Sequence, residues 1–355
     1  MTRPTARIAP LFLAALLALP AVPAPVAAGP TLADTLRTER PGSWGGRFGR
    51  IRGIGGIGGI WVDDGTQAGA APRNLPRLQG WMHPEIGDAW AQGYFGQGTT
   101  ITVVDDFGPG NRFSGDLGTG RQTQGHGDWV LQTAGMIAPQ AGTVAHDHKS
   151  GRQSQGGGSR IRLAPGQLNT INLSYGMFAA AGTDPGLIRW QPQEASIIAH
   201  ARHGRAVVVK AAGNDSVAIG AANARGDVDH LNLALTGSPS TIFVGALEGN
   251  GSPQAPAALA SYSNRAGSDP TVQANFLVVG VPSDLTGLAG TSFAAPVVSG
   301  YAAVLGSKFT TATAPQISRQ LLETARTDTI LGYSRSVHGQ GEASISRALA
   351  PRSIR

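Results

Sequence analysis

The chain has 355 residues, 41% of them apolar, enough to bury a sizeable core and too apolar for general disorder. Its formal charge of +6 rests almost wholly on scattered arginines, without the basic clusters interleaved with aromatics that a nucleic-acid surface needs, so nucleic acid is not an expected partner. There is no cysteine, which excludes disulfides, a thiol nucleophile and cysteine metal sites.

Residues 1–28 read as a secretory signal. Arg3 and Arg7 precede an apolar stretch from Leu11 to Leu19, and Val26-Ala27-Ala28 supplies small residues for cleavage. Pro20 and Pro23 break the run, and no later segment has about 18 uninterrupted apolar residues, so no stable membrane span is expected after signal removal. An exported chain, released outside the cytoplasm or into the cell envelope, is the expectation. Residues 29–76 are rich in Gly, Arg and Pro and include the run GIGGIGGI. Glycine at that density resists helix and strand, so a leader, linker or short pro-segment is expected there. The texture changes near Trp81, and a folded domain is expected over 77–350.

Within that domain, the spacing of WMHPEIGDAWA predicts a short helix. Strands are predicted at ITVVD (101–105), TINLS (170–174), the start of RAVVVKAAGN (205–214), STIFVGAL (240–247) and NFLVVG (275–280). Helices are predicted at 193–204, ending on a glycine stop, at 292–309 and at 314–326. Strands alternating with helices imply an α/β fold: a mostly parallel central sheet covered by helices on both faces. Reactive groups in such folds gather beyond the carboxyl ends of the strands.

Three polar sites stand at predicted element ends: VVDD, GHGDWV and GTSFAAP. A serine hydroxyl is a poor nucleophile at neutral pH. It needs a base in hydrogen-bond reach, and the base needs an anion to fix its tautomer. Asp105, His126 and Ser292 can fill those roles, with Asp106 as the rival for the first. Period-two alternation puts the two aspartates on opposite sides of a strand, so only one can serve. A serine at a helix start sets its own N–H among the unpaired donors there, where negative charge is favoured. Pro296 is expected in the first helical turn, where its missing N–H costs nothing. AAGND places Asn214 on a turn after a strand, where its amide can face an oxyanion.

The set VVDD, GHGDWV, NLSYG, AAGND and GTSFAAP, in the order Asp, His, Ser, resembles the subtilisin-like serine proteases over roughly residues 77–350. The resemblance implies that Asp105 orients His126, that His126 serves as general base and then acid, and that Ser292 attacks the substrate carbonyl. It implies that Asn214 and the Ser292 N–H hold the oxyanion. Leu173-Ser174-Tyr175-Gly176 is similar to one wall of the pocket for the residue before the cleaved bond, and Ala212-Gly213 to the other. Phe107 stands where the family usually has Gly, and Asp128-Trp129 where Thr-His is common. The stretch between Ala138 and Ile171 is short and glycine-rich, and the leader does not resemble the usual folded pro-domain.

The expectation is therefore an exported serine endopeptidase acting on protein or peptide substrates as a monomer. The alternative is a catalytically impaired chain of the same fold, acting as a secreted binding or surface module. No cofactor is required for the chemistry and no metal site is assigned. His146-Asp147-His148 lacks a third ligand at an obvious spacing and reads as a solvated loop. Relatives often bind structural calcium, but Asp215, Asp227 and Asp229 form no ligand pattern. The absence of a GxSxG elbow counts against an α/β-hydrolase esterase.

Overall fold

Each buried strand carries apolar side chains at both parities, so its two faces both need covering. The computed structural model describes residues 76–148 and 159–354. The expected signal segment, nearly all of the leader and the glycines of SQGGGS lie outside the described residues. Six strands form the central sheet: β1 (Thr99–Asp105), β2 (Gly142–Asp147), β3 (Leu168–Leu173), β4 (Val207–Ala211), β5 (Thr241–Leu247) and β6 (Phe276–Gly280). Their spatial order is β6-β5-β4-β3-β1-β2, and every pairing is parallel.

The helices that cover the sheet and frame its edge are α1 (Glu85–Ala91), α2 (His126–Ile137), α3 (Pro192–Arg202), α4 (His230–Leu235), α5 (Thr291–Lys308), α6 (Ala314–Glu323) and α7 (Ile345–Leu349). Alternation divides the core between the two faces of the sheet. Ile101, Val103, Val207, Val209, Ile242 and Val244 pack with α2 and α5 on one side. Val104, Leu173, Val208, Phe243 and Val278 pack with α3 and α4 on the other. Helix α5 is buried over nearly its whole length, which explains its lack of an amphipathic pattern.

The predicted elements recur to within a few residues, with three differences. α6 stops at Glu323, not 326. The stretch after Ala138 holds the edge strand β2, whose exposed residues give no apolar alternation to detect. Two small antiparallel ribbons, 112–115 with 122–125 and 178–180 with 227–229, were not expected; their strands are too short for a periodic signal.

Arg326 ties the start of the domain to its end. Its guanidinium bonds Glu85 at 2.9 Å, His83 Nε2 at 2.9 Å and Glu342 at 3.4 Å. Glu85 also accepts from the Ser344 hydroxyl and the Ser346 N–H.

Candidate active site

Because β1, β3 and β4 are adjacent and parallel, their carboxyl ends open on one edge of the sheet. The amino end of α5 is bonded into that edge. Asp105 is the last residue of β1 and fully buried on the α2 side. Its Oδ1 lies 2.6 Å from His126 Nδ1 and also accepts the Asp106 N–H at 2.7 Å. Asp106 points elsewhere: its carboxylate accepts from the Gly108 N–H at 2.9 Å and its carbonyl from the Gly127 N–H at 3.0 Å.

His126 opens α2, and the residues that depart from the family pattern hold that helix start. Trp129 is fully buried and its indole donates to the Phe113 carbonyl at 3.0 Å. The Asp128 carboxylate accepts the Gly125 N–H at 3.3 Å. The Phe107 ring and the Asp106 carbonyl fill the space a side chain at Gly127 would need, at 3.0 and 2.8 Å from its Cβ position. The imidazole sits between two aromatic rings, 6.1 Å from Phe113 and 5.7 Å from Phe293 by ring centroids. Burial by itself pulls the His126 pKa down. The Asp105 charge and hydrogen bond, with the Asp106 charge behind them, outweigh burial and hold it above the ordinary 6.5.

Ser292 is the second residue of α5 and precedes Phe293, whose ring packs near the imidazole. Ser292 and His126 are both buried, with 9% and 8% of their surface left exposed. The Ser292 hydroxyl donates to the Ser174 carbonyl at 3.3 Å, and among the described residues no hydrogen bond joins it to His126 in this arrangement.

The position of Pro296 differs from expectation. α5 begins at Thr291, so the proline lies in the second turn, where its missing N–H deprives the Ser292 carbonyl of its i+4 partner. Ser174 makes up the loss: its hydroxyl donates to that carbonyl at 2.9 Å. Behind it, the Asn172 amide donates to Ser174 Oγ at 3.0 Å and the Ser299 hydroxyl to Asn172 Oδ1 at 3.0 Å. A buried polar chain thus fixes α5 against β3.

The Asn214 side chain is oriented by its oxygen, which accepts from the Thr291 N–H at 2.8 Å and the Thr291 hydroxyl at 2.9 Å. The amide NH2 is then left on the opposite side. Gly213 and Gly290 bring the two backbones this close with φ of 114° and 126°, left-handed values that favour glycine. Asn264, a residue sequence reasoning missed, pins the turn. It donates to the Ala212 carbonyl at 3.0 Å and accepts from the Asp215 and Val217 N–H groups at 3.0 and 3.1 Å. It is a lone asparagine some fifty residues downstream, with no motif around it.

Of the expected wall residues, Leu173 and Ala212 point into the core on the α3 side. Tyr175 is buried. Its hydroxyl donates to Glu194 at 3.2 Å, and burial, reinforced by Glu194, pushes its pKa well up, so it stays protonated. Ser174 donates to the Ser292 carbonyl, Gly176 lies against the Phe178 ring, and Gly213 donates its N–H to the Thr291 hydroxyl. His146 stands on the edge strand β2, not in a solvated loop, and pairs with Gln193 at 3.0 Å. His148 meets the Tyr175 ring edge-on at 5.1 Å. Among the described residues no three His, Asp or Glu side chains gather as a metal site, and no helix is long and apolar enough to cross a membrane.

A parallel sheet covered on both faces, with a carboxylate–imidazole pair at its carboxyl edge, defines an α/β protein. The chain belongs to the subtilase family (Peptidase_S8), whose profile matches residues 98–342. It carries a subtilase protease domain. Among solved structures it is similar to MycP1 from the ESX-1 type VII secretion system, with 19% identity and a TM-score of 0.50 over 78% of this chain and 87% of that one. It is also similar to MycP3 protease from the type VII (ESX-3) secretion system: 22% identity, TM-score 0.48, 78% and 90% covered. A third is the prenylagaramide maturation protease PagA: 18% identity, TM-score 0.49, 75% and 98% covered. These likenesses are of fold. No curated protein matches the chain.

Proposed function

We propose that the protein is an exported serine endopeptidase that cleaves peptide bonds through an acyl-enzyme. The observation that carries this reading is the 2.6 Å contact of Asp105 with His126, whose ring lies against the residue that follows Ser292. Asp105 fixes the imidazole with Nδ1 protonated, leaving Nε2 as the base. The long 3.3 Å contact of Ser292 with Ser174 is a weak resting bond, and rotation about the Ser292 side chain frees the hydroxyl for His126.

His126 then takes the Ser292 proton as the oxygen attacks the substrate carbonyl. The oxyanion is met by the Asn214 amide and by the Ser292 N–H, which has no preceding helical carbonyl to bond. His126 passes its proton to the leaving amine, and water repeats the sequence on the acyl-enzyme. The strand end Leu173-Ser174-Tyr175-Gly176 and the turn Ala212-Gly213 form the walls that receive the peptide. No cofactor takes part, and the protein acts as a monomer.

A fluorophosphonate probe tests the reading. The parent chain should label and Ser292→Ala should not, with turnover lower by about 10⁶-fold. A folded parent that never labels would instead support a secreted binding module that keeps the fold without the chemistry. That second reading draws on the Ser292 hydroxyl being turned to Ser174 at rest.

A further inference from the structure

The hydrogen bond to Asp105 holds one edge of the His126 ring, at Nδ1. The other edge, Nε2, must be held by packing, because reacting groups tolerate little misplacement. Two phenylalanines from different segments meet this ring. Phe113 lies 6.1 Å from the imidazole and 6.0 Å from Phe293, and Phe293 lies 5.7 Å from the imidazole, all by ring centroids. These separations, with tilted or edge-on planes, are those of favourable aromatic contacts. A small pocket lined by Trp81, Leu117, Leu288 and Val297 adjoins Phe293, so close packing does not hold that ring from every side. Phe113 is the third member that closes the cluster.

Phe113 is carried by the ribbon of 112–115 with 122–125, and that ribbon is bonded to both halves of the site. Toward the histidine, the His126 N–H donates to the Asn111 carbonyl at 3.1 Å and the Trp129 indole to the Phe113 carbonyl at 3.0 Å. Arg112 pairs with Gly125, the residue before His126. Toward the serine, the Asp116 N–H donates to the Thr286 carbonyl at 2.8 Å, and Gly115 lacks the Cβ that would collide with the Leu288 side chain. Residues 286–288 lead into Gly290 and the start of α5. The half-buried Phe113 thus stands where the ribbon crosses from one helix start to the other.

Resting on the protease reading above, we propose that Phe113 is a positioning residue whose ring closes an aromatic cluster that holds the His126 imidazole in place for Ser292 and screens it from water. It acts through the imidazole alone. The charges facing that imidazole are Asp105 and Asp106 at the end of β1. Asp128 on α2 is engaged with the Gly125 N–H, Arg112 on the ribbon donates to the Thr123 carbonyl, and the first turn of α5 carries no charge. Truncating Phe113 changes none of these groups. It lessens the burial that pulls the His126 pKa down, so the pKa should rise and the acid limb of kcat/KM should move to higher pH.

The test compares the parent with Phe113→Ala and Phe113→Leu. Fluorophosphonate labelling of Ser292 is read first. A parent that does not label overturns the protease reading, and the proposal falls with it. In a labelling parent, Phe113→Ala should lower kcat by about 10- to 100-fold with KM little changed, and should move the acid limb upward. Phe113→Leu keeps an apolar cover; it should recover most of kcat and bring the limb back toward the parent. If Phe113→Ala does not fold, Phe113→Val, which suits a strand and shortens the cover, carries the same two predictions. A purely structural role would lower kcat at every pH and leave the limb in place. A labelling variant whose acid limb is unmoved or shifted downward overturns the positioning role and leaves the protease reading standing.

Discussion

Ser174 donates to the Ser292 carbonyl that Pro296 leaves without a helical partner. The proline that marks the serine motif thereby makes the Ser292 helix depend on a residue just past β3, 118 positions away. Ser174→Ala should leave that carbonyl unpaired at a cost of about 1–3 kcal/mol, seen as a lower midpoint in urea. Pro296→Ala in the same background restores the N–H and should recover most of the loss.

Asn214 is aimed by Thr291 through two hydrogen bonds to its oxygen. Asn214→Ala should lower kcat by about 10²–10³-fold with little change in KM, because the oxyanion forms only on the way to the acyl-enzyme. Thr291→Val keeps the N–H bond and loses the hydroxyl bond. It should lower kcat by a smaller factor, which steady-state kinetics on one peptide will show.

His126 must be neutral to act as a base, and its pKa stands above 6.5 because Asp105 outweighs burial. The acid limb of kcat/KM against pH should therefore fall above 6.5, with activity rising as pH climbs through it. Asp105→Asn removes the charge that raises the pKa. It should move the limb downward while lowering kcat by about 10⁴-fold, since the wrong tautomer is then favoured. An acid limb that stays in place would show that Asp105 does not govern the imidazole.

Arg326 joins α1, the isolated bridge residue Glu342 and the start of α7 through Glu85. Arg326→Met leaves the buried Glu342 and the partly buried Glu85 without their cation and should destabilise the domain by about 3–5 kcal/mol in chemical denaturation. The neighbouring His83 is held below the ordinary imidazole pKa, by burial first and by Arg326 against the pull of Glu85. Its neutral Nε2 can then accept the guanidinium bond. A His with a depressed pKa makes its native contribution while neutral. That part of the stability should be present at neutral pH and fall away as pH drops through the depressed value.

The strands and helices were legible because each is a local pattern. β1, β4, β5 and β6 each announce themselves as a short continuous run of apolar, largely β-branched residues, buried on both faces. The order Asp, His, Ser and the small residues around Ser292 were legible for the same reason. Alternation left one of Asp105 and Asp106 for the histidine and the resemblance named Asp105; the packing of α2 against one face of the sheet brings His126 to it. Ser174 under Pro296, Asn264 behind the Asn214 turn and Arg326 between the domain's two ends were decided by tertiary structure alone. Each is a pairing of single polar side chains from segments far apart in sequence. Such a pairing repeats at no period, so the chain holds both halves without marking that they meet.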